Sequence, residues 1–122
     1  MTPPDPRLRR APLILAALLL AATAVFHLTG LAMVAGWFDD EKRSVLILLW
    51  IAPAASWLLI AAYWLVQAVK RHPADWPALL LTSAIPLTVG IPLLALVSVA
   101  HPGGYMLVGS SALALASRKG AR

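Results

Sequence analysis

Three long runs of this chain contain no acidic or basic residue, although charged residues crowd the ends of each run. Residues 11–38, 44–69 and 76–117 form uncharged runs of 28, 26 and 42 residues. A helix needs about 20 apolar residues to cross the hydrocarbon core of a bilayer. The pattern therefore predicts an integral membrane protein, and the third run is long enough to cross twice.

A cluster of helix-breaking residues, His101–Gly104, divides the third run. Four helices follow, over about residues 11–38, 44–69, 77–99 and 103–117. At about 1.5 Å per residue the last helix is short for a crossing, and a re-entrant or interfacial segment is the alternative there. The predicted fold class is all-α, a polytopic membrane protein whose single domain, residues 1–122, is a four-transmembrane-helix bundle.

Basic residues are distributed unequally between the two sides of this bundle. One side carries Lys42 and Arg43. The other carries eight, namely Arg7, Arg9, Arg10, Lys70, Arg71, Arg118, Lys119 and Arg122. By the positive-inside rule, the N- and C-termini are cytoplasmic. The chain has no asparagine and favours arginine over lysine, which hints at a GC-rich bacterial genome. We expect a multi-pass protein of the bacterial cytoplasmic (inner) membrane.

A cleaved signal peptide is the competing interpretation of the N-terminus. A basic segment precedes the apolar core Leu13–Leu20, and Ala22–Ala24 has the small-x-small pattern of a cleavage site. The apolar run continues for about a dozen residues beyond that site, and a mature secreted domain would not begin with such a segment. A transmembrane helix explains the whole run.

Composition narrows the possible functions. Apolar residues make up 61% of the chain and charged residues 12%, which leaves too little polar surface for a soluble catalytic domain. The basic residues stand in short clusters at the ends of apolar runs, so we expect no nucleic-acid partner. There is no cysteine for a disulfide or a thiolate site. No catalytic residue, metal ligand set or cofactor motif is predicted.

His27 is the one ionisable residue well inside a predicted span. At helical spacing it shares a face with Thr23, Gly30 and Val34, so it is expected to face other helices. The functional interpretations of His27 are an axial haem ligand, a proton relay or a substrate contact. The structural interpretation is a neutral imidazole bonded to a neighbouring hydroxyl or freed carbonyl. It is favoured because no second histidine lies inside a predicted span to complete a bis-histidine site; His101 is placed in the outer loop.

The third predicted helix is interrupted by two prolines. Pro86 and Pro92 remove the backbone donors to the carbonyls of Thr82 and Thr88, and Pro53 does the same in the second helix. Interrupted helices line paths in transporters, but they are also tolerated where a hydroxyl or a neighbouring helix satisfies the carbonyls. The hydroxyls of this region either line a path or bond across helices.

The second predicted helix carries polar residues on one face, and these either line a cavity or hold helices together. Ser56 and Pro53 lie on or beside that face. Together with the third helix and His27, this gives the candidate ligand or cavity residues: His27, Tyr63, Gln67, Thr82, Ser83 and Thr88.

Three weaker signals complete the pattern. Small residues recur at four-residue spacing, which allows close helix packing; the pairs are Ala17/Ala21, Ala32/Gly36, Ala52/Ser56 and Ala112/Ala116. The acidic triplet Asp39–Glu41 is either a divalent-cation ligand or, as favoured, a solvated turn with Lys42 and Arg43 as counter-charges. Met33 and Met106 are either copper(I) ligands beside His101 or, as favoured, gap-filling side chains.

We predict a non-enzymatic accessory, scaffold or self-associating subunit of a membrane assembly. Its partners are the lipid bilayer and another membrane protein or a second copy. The alternative is a permeation or ligand-binding bundle centred on His27, Tyr63, Gln67 and the proline-broken third helix, and a membrane enzyme or haem carrier ranks third. Small multidrug-resistance transporters share the length and helix number, but they depend on a glutamate in the first helix that this chain lacks.

Overall fold

The computed structural model describes residues 6–70 and 75–117, with side chains from Arg10 onwards. Within these ranges the chain is helical and contains no strand, so the all-α prediction is confirmed. The helices are α1 (Pro6–Thr29), α2 (Leu31–Ala35), α3 (Asp40–Val69), α4 (Trp76–Pro92) and α5 (Pro102–Ala116), and a π-helical turn over Leu93–Val97 extends α4. Part of the basic asymmetry lies outside the described residues: Arg71, Arg118, Lys119 and Arg122 and the side chains of Arg7 and Arg9.

Three helical stretches within the described ranges are long and apolar enough to cross a membrane. They are Arg10–Ala35, Asp40–Val69 and Trp76–Val97. The fourth predicted helix exists as α5, but its 15 residues rise only about 22 Å at 1.5 Å per residue. Membrane-spanning character is thus found for the first three predicted spans.

The first span is divided near its end, where the sequence predicted one helix to residue 38. The backbone N–H of Gly30 donates to the carbonyl of His27 at 3.2 Å, a tighter three-residue turn that ends α1. The short helix α2 then continues to Ala35. The third span also ends early, because the N–H of Ser98 closes a five-residue π turn on the carbonyl of Leu93 at 3.2 Å.

The charged turn between α2 and α3 is a solvated cap. Asp39 caps α3, its side chain accepting from the N–H of Lys42 at 3.2 Å. Arg43 donates to the carbonyls of Ala35 and Phe38, at 3.0 Å each, and pairs with Asp40 at 3.4 Å. The acidic side chains therefore serve as helix cap and counter-charge, as the sequence favoured.

The helices pack in the spatial order α3, α1, α5, α4. Helix α1 lies between α3 and α5, and α4 packs against α5. The edge between α3 and α4 is bridged by bulky side chains: the indole N–H of the fully buried Trp64 donates to the hydroxyl of Thr82 at 2.9 Å. The bundle is therefore tight on the α5 side and wider between α3 and α4.

Two glycines allow the close approach of α4 and α5. A Cβ on Gly90 would lie 2.9 Å from the Cβ of Leu107 and 3.2 Å from the carbonyl oxygen of Gly104. A Cβ on Gly104 would lie 2.6 Å from the side chain of Leu94. A larger residue at Gly90 requires a shift of the helices, whereas one at Gly104 requires the Leu94 side chain to move.

The small-residue pairs predicted from spacing are mostly not the ones at the helix contacts. Ala17 is buried and Ala21 partly buried. The members of the other three pairs are all exposed: Ala32/Gly36, Ala52/Ser56 and Ala112/Ala116. The reason is physical: spacing places two residues on one face of a helix but does not state which face is buried.

A neighbouring helix supplies a donor at the first proline of α4. The hydroxyl of Ser111 on α5 donates to the carbonyl of Ser83 at 2.9 Å, next to the Thr82 carbonyl that Pro86 deprives of its N–H. Pro53 lies within α3, which continues as one helix. Helix α4 likewise continues through Pro86.

Candidate ligand-binding cavity

A cavity of about 480 Å³ lies at the end of the bundle where α1 breaks and the π turn follows α4. Its size is within the range of about 300–1,000 Å³ typical of small-molecule sites. Most of its lining is apolar or aromatic, with a few polar groups: Thr23, Phe26, His27, Thr29, Gly30, Met33, Val34, Trp50, Trp57, Val89, Leu93, His101, Gly103 and Leu107. Phe26, Thr29 and Met33 are exposed, so the cavity opens to the surface beside α1.

His27 and Trp50 are held together by two reciprocal hydrogen bonds. The His27 Nε2 lies 3.1 Å from the carbonyl oxygen of Trp50, and the indole Nε1 of Trp50 donates to the carbonyl of His27 at 2.7 Å. The two rings stack at 4.6 Å between centroids, and Trp57 contacts the imidazole edge-on at 5.2 Å. The imidazole therefore has one fixed orientation on the cavity wall.

The contact with Trp50 also fixes which ring nitrogen of His27 carries hydrogen. A carbonyl oxygen only accepts, so Nε2 must donate to it, and Nδ1 of the neutral ring is then an acceptor. That Nδ1 atom has no hydrogen-bond partner among the described residues and is not among their sealed, unpaired atoms. His27 thus bonds to a carbonyl on a neighbouring helix, as in the structural interpretation, and it also presents a free acceptor.

His101 lines the same cavity from the start of α5. Gly103 lies close to the rings of both His101 and Phe26, the residue next to His27 in α1. A Cβ on Gly103 would lie 3.1 Å from the His101 ring and 3.6 Å from the Phe26 ring. The Nδ1 atom of His101 is buried without a partner among the described residues. His101 thus lies in the loop before α5, as predicted, and it lines the same cavity as His27.

The other five candidate residues do not line this cavity. Tyr63 packs against the core and Gln67 is half-buried on α3. The Thr82 hydroxyl accepts from Trp64 and donates to the carbonyl of Ala78 at 2.8 Å. These three side chains lie elsewhere in the bundle.

Ser83 and Thr88 are also absent from the cavity wall. The Ser83 side chain is buried, and its hydroxyl has no partner within the described residues. Thr88 is exposed and bonds to the carbonyl of Ile85 in its own helix at 2.7 Å. The single polar cavity predicted across His27, Tyr63, Gln67 and α4 is therefore not the one that the structure forms around His27.

Sequence reasoning missed His101 and the two tryptophans as site residues. A partial signal existed, because Trp50 and Trp57 lie deep in the second predicted span, where an indole N–H requires an acceptor. For Trp50 that acceptor is the carbonyl of His27. No spacing rule connects His101 to His27, since 74 residues and three helices separate them along the chain.

Metal ligands were also considered. Among residues 6–70 and 75–117 there is no group of three histidine, cysteine, aspartate or glutamate side chains that could hold a metal ion. Met33 lines the cavity beside the two histidines, whereas Met106 does not. The arrangement is that of an apolar pocket with imidazole contacts.

Comparison of the chain with protein-family models, curated proteins and solved structures finds no match. The chemistry of the cavity is therefore the basis for assigning a role.

Proposed function

We propose that this protein is a membrane-embedded binding protein that holds one small, largely apolar molecule in the cavity between α1, α3 and α5. The observation that carries the proposal is a cavity of about 480 Å³ whose apolar wall contains an oriented imidazole, His27, with a free acceptor atom. A mainly apolar pocket with few fixed polar groups is the usual form of a small-molecule site.

The cavity favours binding over permeation. A permeation path needs polar groups along the depth of the bundle. The candidates for such a path, Tyr63, Gln67 and Thr82, are not part of the cavity wall. The hydroxyl of Thr82 accepts a hydrogen bond from the indole N–H of Trp64 at 2.9 Å. The accessory or scaffold role stays a prediction of the sequence. Contact with lipid alone explains the outward-facing apolar side chains, so these do not indicate a protein partner.

The protein lies in a bacterial cytoplasmic membrane with both termini cytoplasmic. This part of the proposal is supported by the eight-to-two division of basic residues. It makes α5 the fourth crossing and places the loop of His101 on the outer side. The cavity would then be reached from the outer leaflet, through its opening beside Phe26 and Met33.

Retention of a small molecule through purification tests the proposal. Protein is extracted from native membranes in mild detergent, and its organic extract is examined by mass spectrometry. We expect one compound in about equimolar amount with the wild-type protein. Val89→Trp places a large side chain in the cavity wall and should remove that compound.

The matched control is Val66→Trp, because Val66 is likewise exposed but lies on α3 outside the cavity. It should keep the compound. Equal retention by both variants, or no stoichiometric compound in any sample, would contradict the proposal.

A further inference from the structure

We infer that the molecule bound in this cavity is a phenol, a ring hydroxyl compound carrying an apolar chain, and that its hydroxyl donates to Nδ1 of His27. The inference rests on the proposed binding function and adds the chemical class of the ligand. It is derived from the hydrogen-bond direction at His27, its unpaired Nδ1 atom and the aromatic wall.

The direction of hydrogen bonding selects a donor on the ligand. The Nε2 of His27 is committed to the carbonyl oxygen of Trp50 at 3.1 Å, which leaves Nδ1 as an acceptor. A ligand that offers only ether or carbonyl oxygens has nothing to donate to that atom. A hydroxyl satisfies it, so hydroxyl compounds are favoured over their ethers.

The imidazole cannot rotate to change this selection. A flip of the ring would give up the bond to Trp50, and the ring is held by stacking on Trp50 at 4.6 Å and by the edge of Trp57 at 5.2 Å. The Trp50 ring is itself tied to the carbonyl of His27 at 2.7 Å. The acceptor is therefore preorganised, which lowers the entropic cost of binding.

His101 lies on the wall of the same cavity as His27. Its Nδ1 atom is sealed, so a molecule in the cavity cannot reach that atom. The proposed contact is therefore with Nδ1 of His27.

The aromatic wall indicates a ring at that polar end. Phe26, Trp50 and Trp57 all line the cavity, and aromatic pairs in offset or edge-to-face geometry are stabilised beyond the effect of their buried area. An aliphatic alcohol would fill the same space without that gain. The opening beside the exposed Met33 leaves room for an apolar chain to extend into lipid.

A matched pair of probes tests the inference. Binding of 4-hexylphenol and of its methyl ether, 4-hexylanisole, is measured by equilibrium dialysis against nanodiscs that contain the full chain, with empty nanodiscs as the blank for lipid partitioning. One hydrogen bond to a preorganised acceptor predicts that the phenol binds about 5–10-fold more tightly than the ether. 1-Octanol should bind more weakly than the phenol.

Two variants locate the contact. His27→Phe keeps a ring in the wall but removes the acceptor, so it should abolish the preference for the phenol while the ether binds within about twofold of its wild-type affinity. Thr29→Val is the control, because the Thr29 hydroxyl lines the cavity but already bonds to the carbonyl of Phe26 at 2.6 Å. It should keep the preference.

Each outcome has a separate meaning. Equal binding of phenol and ether to the wild-type protein overturns the ligand class and leaves the proposed binding function standing. Octanol as tight as the phenol overturns the aromatic part. Saturable binding of none of the three probes counts against the ligand class, and the native extract described above then decides the proposed function. The wild-type ratio does not depend on any variant folding.

Discussion

His27 and Trp50 each bond through the side chain to the other's backbone carbonyl, at 3.1 Å and 2.7 Å, while their rings stack. The carbonyl of His27 accepts the indole N–H as well as the N–H of Gly30, whose turn ends α1. A Cβ at Gly30 would lie 3.2 Å from the Trp50 ring. The contact therefore lies at both the helix end and the cavity wall.

Trp50→Phe tests how much this contact stabilises the bundle. Phenylalanine keeps an aromatic ring but removes the indole donor to His27. We expect the free energy of unfolding to fall by about 0.5–1.5 kcal/mol, the usual range for one hydrogen bond between helices. Trp37→Phe, at a side chain that is 68% exposed, is the control and should change it little. Equal losses in both, measured by SDS titration of refolded protein, would show that the bond contributes nothing.

Gly90→Ala tests the close approach of α4 and α5. The added methyl would meet the Cβ of Leu107 at 2.9 Å and the Gly104 carbonyl at 3.2 Å, neither of which is the end of a movable side chain. Overpacking of this kind destabilises by about 1–3 kcal/mol. Gly36→Ala is the matched control, since its Cβ would stand 3.6 Å from the nearest atom. The thermal unfolding midpoint should fall for Gly90→Ala alone, and an unchanged midpoint would mean that the helices separate freely.

Ser111→Ala tests the hydroxyl that reaches the proline-interrupted helix. The variant loses the 2.9 Å bond to the carbonyl of Ser83, for which we expect about 0.6–1.7 kcal/mol in a membrane protein. Ser56→Ala serves for comparison, because the Ser56 hydroxyl is exposed and bonds only to Ala52 in its own helix, at 3.0 Å. A loss for Ser56→Ala as large as that for Ser111→Ala would argue against a special role of the bond between helices.

The helices themselves could be predicted because their signals are local. The absence of charge over residues 44–69 and the acidic cap at Asp39 define α3 without any tertiary information. The breaker cluster at His101–Gly104 likewise gives α5, which starts at Pro102. An uncharged run and the residues that end a helix can both be read from the chain without knowing which helices are neighbours.

The cavity could not be predicted because it depends on which helices are neighbours. Spacing placed His27 on a helix face but did not reveal that His101 lies at the same wall. Tyr63 and Gln67 on α3 lie apart from the cavity, whereas Trp50 and Trp57 of the same helix line it. In an alanine- and leucine-rich bundle many helix arrangements bury similar apolar area, so packing order follows from the fit of residues such as Gly90 against Gly104.

Reporter fusions test the proposed orientation and the fourth crossing. The eight-to-two basic asymmetry predicts that alkaline phosphatase is active when fused after Gly104, in the first turn of α5 beside the loop of His101, and inactive when fused after Arg71 or at the C-terminus. The C-terminal fusion is the decisive one, because α5 has 15 residues and rises only about 22 Å. Its buried Ser110, Ser111 and Ala114 face the bundle, which is consistent with a crossing helix packed against its neighbours. An active C-terminal fusion beside an active Gly104 fusion would mean that α5 returns to the outer side, and the chain would then have three crossings.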